Sequence, residues 1–190
     1  MPKIRKSRIQ KFSMGIPQIF QSFGYIKLAH RILHSHFHHL HRPLLTAPAP
    51  TTSNSNAEST ALYHAPFLVL FHNQHRIFTY ANKLALETFD YPASSFIGLP
   101  SHLCLDSSQK DLNNQTKLRE KYLKTSLEKG YAEDIHGIRV SATGRRFMIS
   151  DTCVWNVLDE EGNVVGQAAK VPKWSFVDES RSERELSDVD

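Results

Sequence analysis

The chain has 190 residues, of which 40% are hydrophobic and 10% aromatic, so it can bury the core of one small domain and is not disordered throughout. Residues 1–57 hold eight of its 23 lysines and arginines and no acidic residue, although the net charge is only +4. The remaining residues carry 15 basic against 19 acidic groups, which argues against a nucleic-acid platform. The longest apolar run, 67–71, is far shorter than the ~20 residues of a membrane span. The two cysteines are too few for a disulfide framework.

Residues 1–24 form a basic arm that we expect to be disordered. We expect a cytoplasmic protein, but an acid-free start rich in Arg and Lys is also typical of transit peptides, so a plastid or mitochondrion is the alternative. Residues 25–45 predict an amphipathic flanking helix whose apolar side chains share an arc of about 80°. This predicted docking face should pack on a sheet or pair with a second copy of the chain. Its members are Ile26, Leu33, Phe37, Leu40 and Leu44, and Ala29 falls within the same arc.

Four histidines of the same helix, His30, His34, His38 and His41, also lie within about 80° of one another. Imidazoles at this spacing can chelate a transition metal. Because no Cys, Asp or Glu accompanies them, we predict no metal site and interpret them as a polar flank of the helix. The functional alternative is a docking surface that weakens when the cluster is protonated at low pH.

The predicted domain spans residues 62–174, after a Pro/Ser/Thr/Asn-rich linker over 46–61 and before a charged, disordered tail over 175–190. Strands at both ends of the domain enclose a block of helices, which indicates an α+β fold with a five-stranded antiparallel sheet and helices on one face. The predicted strands are 67–71, 76–80, 131–141, 147–158 and 164–171. The predicted helices are 83–89, capped by Asn82, and a long helix ending at 129.

The segment 80–98 resembles the signature of PAS domains, and further stretches resemble the MEKHLA domain, a PAS-related family. The stretches that carry this resemblance are Ala65–Val69, Tyr80–Leu86, Gly98–Ser101, Gly137–Ser141, Gly144–Phe147, Val154–Gly162 and Gly166–Ala169. The resemblance implies a PAS-like fold, in which a flanking N-terminal helix commonly covers the outer face of the sheet. It also implies sensing or regulatory contact, and it names no ligand.

Candidate ligand-binding residues lie on the last two predicted strands. Strict alternation places Cys153 and Trp155 on the apolar face of strand 147–158, which we expect to point at the helices. Alternation also points Gln167 inward, where its amide could orient a ligand in a small cavity. The alternative is a packed core with Gln167 bonded to backbone. Asn82 and Arg119 complete the candidate set; Arg119 lies in the apolar half of the long helix, so it must snorkel or find a buried partner.

No cofactor is assigned from the sequence. Gln167 resembles the flavin-contacting Gln of light-sensing LOV domains, but Cys104 lies in His-Leu-Cys-Leu and not in the Asn-Cys-Arg-Phe motif of that family. A single histidine such as His136 is a weak basis for haem. A flavin-binding light or redox sensor is therefore a distant alternative.

We find no Ser/His/Asp spacing, phosphate loop or metal triad, and we predict that the protein is not an enzyme. A pairing of Asp134 or Asp151 with His136 as acid and base is common by chance. The sequence predicts a PAS-like sensory or regulatory module that binds a small molecule or a protein partner. The alternative is a ligand-free interaction or dimerisation module, with a homodimer formed through the N-terminal helix. We expect neither nucleic acid nor membrane as a partner.

Overall fold

The computed structural model describes residues 18–45, 55–106 and 112–177. These residues form an antiparallel sheet with helices on both faces. The strands are β1 (Leu68–Asn73), β2 (Phe78–Ala81), β3 (Tyr131–Val140), β4 (Arg146–Leu158), β5 (Val164–Val171) and β6 (Lys173–Phe176). The helices are α1 (Phe23–Leu40), α2 (Ser55–Tyr63), α3 (Lys83–Phe89), α4 (Ala93–Phe96) and α5 (Leu112–Lys129), with short 3-10 helices at Gln18–Gln21 and Ser101–Cys104.

The strand order is β2-β1-β5-β4-β3, and β6 also pairs with β4. The predicted α+β class with an antiparallel sheet is confirmed, and β6 is an addition to the five predicted strands. Pro172 interrupts the ladder because it lacks an N–H. The chain then resumes pairing, so that Phe176 lies opposite Phe147. Residues 175 and 176 therefore belong to the sheet and not to a disordered tail.

The two faces of the sheet have different coverings. We call the face beneath α3, α4 and α5 the inner face; there the ring of Phe89 in α3 lies 5.0 Å from that of Phe147 in β4. We call the face beneath α1 the outer face. On that side the indole nitrogen of Trp155 donates a hydrogen bond to the backbone oxygen of Ile32 at 3.2 Å. The sheet is therefore the middle layer of three.

Two bulges reverse the alternation of side chains on β3 and β4. The register between these strands shifts on either side of Ile135, which pairs with Thr152. Asp134 and Asp151 take left-handed φ values of 57° and 53°, a conformation that Asp tolerates better than most residues. The prediction that one face of β4 continues unbroken through Asp151 to Trp155 is therefore wrong.

Helix α1 packs on the outer face through a stripe that differs from the predicted one. Ala29, at the edge of the predicted arc, is buried together with Ile32 and His36, which lie outside it, and the Ser35 hydroxyl accepts a hydrogen bond from the backbone N–H of Leu158 at 2.9 Å. Phe37, expected on the docking face, is 55% exposed.

The remaining members of the predicted docking face are covered to different degrees. Leu44 is buried, whereas Ile26, Leu33 and Leu40 are partly buried. At about 100° per residue, the buried stripe is rotated by roughly a quarter turn from the predicted arc. The cause is that Ser35 and His36 contact residues of β4 beneath the helix, although a hydropathy pattern counts both side chains as polar.

Two predicted boundaries also change. The predicted basic arm ends in ordered structure, because Phe20 is buried and its ring lies 5.1 Å from that of Tyr25 and 5.7 Å from that of Tyr80. Residues 55–61 of the predicted linker are helical. The predictions for residues 1–17, including a transit peptide, and those for 46–54 and 178–190 lie outside the described residues. In the described ranges no helix is long and apolar enough to cross a bilayer.

Candidate functional site

A small cavity lies between the inner face and α5, with a volume of about 90 Å³. Successive turns of α5 form one wall, because residues three and four apart share a helix face. The strands contribute side chains that alternate inward. The full lining is Leu70, His72, Phe78, Phe89, Ser101, Cys104, Arg119, Tyr122, Leu123, Ile135, Arg139, Ile149, Thr152, Val154, Gln167, Ala168, Ala169 and Val171.

The size of the cavity limits what it can hold. A dry protein cavity of roughly 150 Å³ binds benzene, so the 90 Å³ here suits a molecule of only a few heavy atoms. A flavin or haem is far larger and does not fit the cavity in this conformation. The predicted absence of a cofactor stays a prediction.

A hydrogen-bonded chain of amides closes one end of the cavity. The Gln167 side-chain N–H₂ group donates to the backbone oxygen of Leu123 at 3.1 Å and to Asn156 Oδ1 at 3.3 Å. The Ser126 hydroxyl donates to the same Asn156 oxygen at 3.3 Å. Gln167 thus lines the cavity while its amide nitrogen links β5 to α5.

Two arginines supply the charge at the cavity. Arg119 Nη2 donates to the Ser101 hydroxyl at 2.7 Å, and Arg119 Nη1 lies 3.6 Å from Glu120 Oε1. Arg139 Nη1 donates to the backbone oxygen of Ile138 at 2.8 Å. Burial, with a further contribution from Arg119, lowers the pKa of Arg139 to about 10. Both guanidiniums are therefore charged at neutral pH.

The thiol of Cys104 and the imidazole of His72 are neutral. Burial raises the pKa of the Cys104 thiol to about 12, and burial lowers the pKa of His72, so thiol and imidazole both stay uncharged at neutral pH. No Asp or Glu is among the lining residues. The charge that a bound molecule meets is thus positive.

Thr152 places an unsatisfied hydroxyl in the cavity wall. Thr152 is 2% exposed, and its Oγ1 has no hydrogen-bond partner among the residues that the structure describes. Leaving a buried hydroxyl unpaired costs roughly 1–3 kcal/mol. Such a group is expected where a ligand or an ordered water completes the hydrogen bond.

The structure brings two of the five predicted ligand-binding residues together, Arg119 and Gln167. Cys153 and Trp155 lie on the outer face, because the bulge at Asp151 exchanges the faces of β4. Asn82 lies outside the cavity and is fully used as a clamp: its Oδ1 accepts from the N–H groups of Val69 and Ala85, and its Nδ2 donates to the oxygen of Phe67. These three predictions are corrected.

Sequence reasoning missed four polar residues of the cavity. His72 continues the alternation of Leu68 and Leu70 on β1, so an inward position could have been found from the pattern. Thr152 was hidden by the bulge. The positions of Ser101 and Arg139 depend on a loop and on the register of β3, neither of which the pattern specifies.

The histidines of α1 form no metal centre in the structure. The His30 and His34 rings stack with centroids 6.1 Å apart. Across residues 18–45, 55–106 and 112–177, no three His, Cys, Asp or Glu side chains lie close enough together to hold a metal ion.

This arrangement of sheet and helices is a PAS-like fold, as comparison with solved structures shows. The chain is similar to a PAS domain from Colwellia psychrerythraea, with a TM-score of 0.53 and 12% identity over 64% of this chain and 95% of that one. It is also similar to an RNA-binding light-oxygen-voltage receptor, with a TM-score of 0.52 and 17% identity over 74% of this chain and 39% of that chain. At these identities the likeness shows the fold alone.

The chain belongs to the MEKHLA domain family, whose model matches residues 26–176. The match includes α1 from Ile26 onward, so most of the helix on the outer face is part of the family's domain. No curated protein matches the chain.

Proposed function

We propose that this domain is a sensory or regulatory module that binds a small molecule in the inner-face cavity and catalyses no reaction. The observation that carries this proposal is the buried Thr152 hydroxyl, which lacks a partner in the wall of an otherwise largely apolar cavity. A small concave site with apolar walls and a few placed polar groups is the usual form of a ligand pocket.

Strand β4 offers a route from the cavity to the opposite surface. Thr152 and Val154 line the cavity, whereas the alternating neighbours Cys153 and Trp155 face α1. A ligand that binds one arrangement of β4 more tightly shifts the population of that arrangement. The hydrogen bond between Trp155 and Ile32 then transmits the change to α1. In this proposal α1 is the output element.

The chemistry of the cavity disfavours catalysis. General acid–base catalysis needs a group whose pKa lies near the working pH and within reach of the substrate. Cys104 is held as the thiol, and a buried thiol is a poor nucleophile. His72 has a lowered pKa, and its Nδ1 contacts the backbone oxygen of Asn73 at 3.0 Å. No carboxylate is available in the lining to activate either group.

A second candidate function is a ligand-free interaction module. The observation that favours it is Phe37, a large apolar side chain of α1 that is 55% exposed. Such a side chain can anchor a protein partner or a second copy of the chain. In this case the cavity would be a packing defect without a ligand.

Native mass spectrometry of the full chain separates the two candidates. We expect a small molecule that copurifies under native conditions and is lost on denaturation. An Ala169→Leu variant should abolish this added mass, because leucine fills the cavity. The matched control Ala142→Leu, at an exposed turn position, should retain it. A variant at Ala169 that still carries the molecule, or a consistent absence of added mass in the unaltered protein, would favour the interaction module.

A further inference from the structure

We propose that the cavity selects a small organic carboxylate with a short apolar tail. This inference rests on the ligand-binding function proposed above and adds the chemical class of the ligand.

The cavity carries an excess of positive charge. Arg76 engages both oxygens of Glu120, with Nη2 2.7 Å from Oε2. Glu120 therefore offers Arg119 only a longer contact of 3.6 Å. Arg139 forms no salt bridge with a carboxylate in the described part of the chain. Its hydrogen bond goes to the neutral backbone oxygen of Ile138. Two guanidiniums thus share one carboxylate, and the third, that of Arg139, has none among the described residues.

The lack of a side chain at Gly137 leaves space for the side chain of Arg139. A Cβ atom at Gly137 would lie 3.0 Å from Arg139 Nη1, which is closer than almost any real contact of that kind. Gly137 is two residues away on the same face of β3, so its missing side chain leaves room for the guanidinium. A side chain at this position would require the guanidinium of Arg139 to move by a few tenths of an ångström.

Arg119 and Arg139 lie between the cavity and the surface of the protein. Arg119, Tyr122 and Arg139 line the cavity and also a surface depression of about 320 Å³. A molecule entering from that side passes both guanidiniums. Paired donors of a guanidinium match the two oxygens of a carboxylate.

The entrance of the cavity is charged, whereas its interior is largely apolar. Ile149, Val154 and Ala169 form apolar walls, which favour a hydrocarbon tail and disfavour a wholly polar ion such as phosphate. The Thr152 hydroxyl supplies an unused donor in these walls. A volume of about 90 Å³ restricts the tail to a few carbon atoms.

Titration of the isotope-labelled full chain with sodium butyrate, butyramide or inorganic phosphate, followed by NMR, tests the proposal. Butyrate should shift the signals of the residues that line the cavity and should bind at least tenfold more tightly than its neutral isostere butyramide. Arg139→Gln should weaken butyrate binding about tenfold, because it removes a charge-assisted hydrogen bond. Gly137→Ala keeps the charge but displaces the guanidinium, so it should also weaken binding.

Arg145→Gln and Lys121→Gln are matched controls, because both side chains are exposed and lie outside the cavity. They should leave butyrate binding unchanged. Equal binding of butyrate and butyramide in the cavity would overturn the carboxylate assignment and leave the ligand-binding function standing. Tighter binding of phosphate than of butyrate would overturn the assignment as well. If no probe binds and no molecule copurifies, both the assignment and the proposed function fail.

Discussion

The outer and inner faces of the sheet are built from the same strands but differ in how completely they are packed. On the outer face, Trp155 is fully buried, and its polar atom is paired with Ile32. On the inner face a cavity remains, and Thr152, equally buried, has an unpaired hydroxyl. Two residues three positions apart on β4 thus show a satisfied and an unsatisfied environment. At these two positions the outer-face side chain contributes stability, whereas the inner-face side chain gives up part of it for binding.

Removal of residues 1–45 should have the largest effect, because it uncovers the whole outer face. The deletion takes away Phe20, Ile32 and Leu44, each buried and each worth about 1.5–3 kcal/mol, and it exposes Trp155. The summed loss approaches the free energy of unfolding of a typical domain, which is about 5–15 kcal/mol. We expect a protein that aggregates or lacks a cooperative transition in circular dichroism and light scattering. An equally stable truncated monomer would show that the inner layers suffice.

Trp155→Ala should lower the free energy of unfolding by ~3–5 kcal/mol, because it leaves a cavity beneath α1 and breaks a buried hydrogen bond. Urea denaturation at neutral pH measures this difference. Phe37→Ala, an exposed aromatic on the same helix, is the control and should change stability by less than about 0.5 kcal/mol. Similar losses in both variants would contradict the docking geometry of α1.

Stability should fall between pH 6.5 and pH 4 because of His36. Its ring packs edge-on against Trp155 with centroids 4.9 Å apart, and burial lowers its pKa to about 4, with small contributions from Lys170 and Arg42. The unfolded chain binds a proton near pH 6.5, whereas the folded chain resists it, so the stabilisation is present above pH 6.5 and is lost as the pH falls towards 4.

The effect of His36 should be on the order of 2–3 kcal/mol. Unfolding curves measured across this range should be flatter for His36→Gln than for the unaltered protein. His39, also partly buried with a lowered pKa, adds to the slope in both proteins. His30→Gln, at an exposed position of the same helix, is the control and should retain the full pH dependence.

Thr152→Val should have the smallest effect on stability and the opposite sign. Valine has nearly the same shape and removes an unpaired buried hydroxyl, so we expect a gain of up to about 1 kcal/mol. The same variant should bind butyrate several-fold more weakly. A loss of more than about 1 kcal/mol in thermal or urea unfolding would mean that the hydroxyl is satisfied, and the contrast between the two faces would disappear.

The order of strands and helices could be predicted from the sequence because each element has its own periodicity and its own stop signal. The apolar run ending at Phe71, the cap at Asn82 and the glycine at 130 each act locally. The faces of β4 could not be predicted, because one aspartate in a left-handed conformation exchanges inside and outside. Asp151, a charge within an expected apolar face, was the available sign.

The candidate site could be predicted only in part, for a related reason. Arg119 and Gln167 lie in regular elements, where the period points them inward. Arg139 depends on the register of a bulged strand, and Ser101 lies in a 3-10 helix. The docking stripe of α1 was misassigned because hydropathy counts Ser35 and His36 as polar. Their buried positions depend on partners distant in the chain.

The bulge at Asp151 determines which of the later side chains of β4 face inward and which face outward. If Asp151 stayed in β4 without its bulge, strict alternation would carry Thr152 from the inner to the outer side and Cys153 from the outer to the inner side, along with every later residue of β4. Trp155 would then occupy the cavity, and α1 would lose the indole that it packs against. In alignments of MEKHLA domains, a gap at Asp151 should therefore keep the faces of β4, whereas a gap at Thr152 that leaves the bulge in place should exchange them.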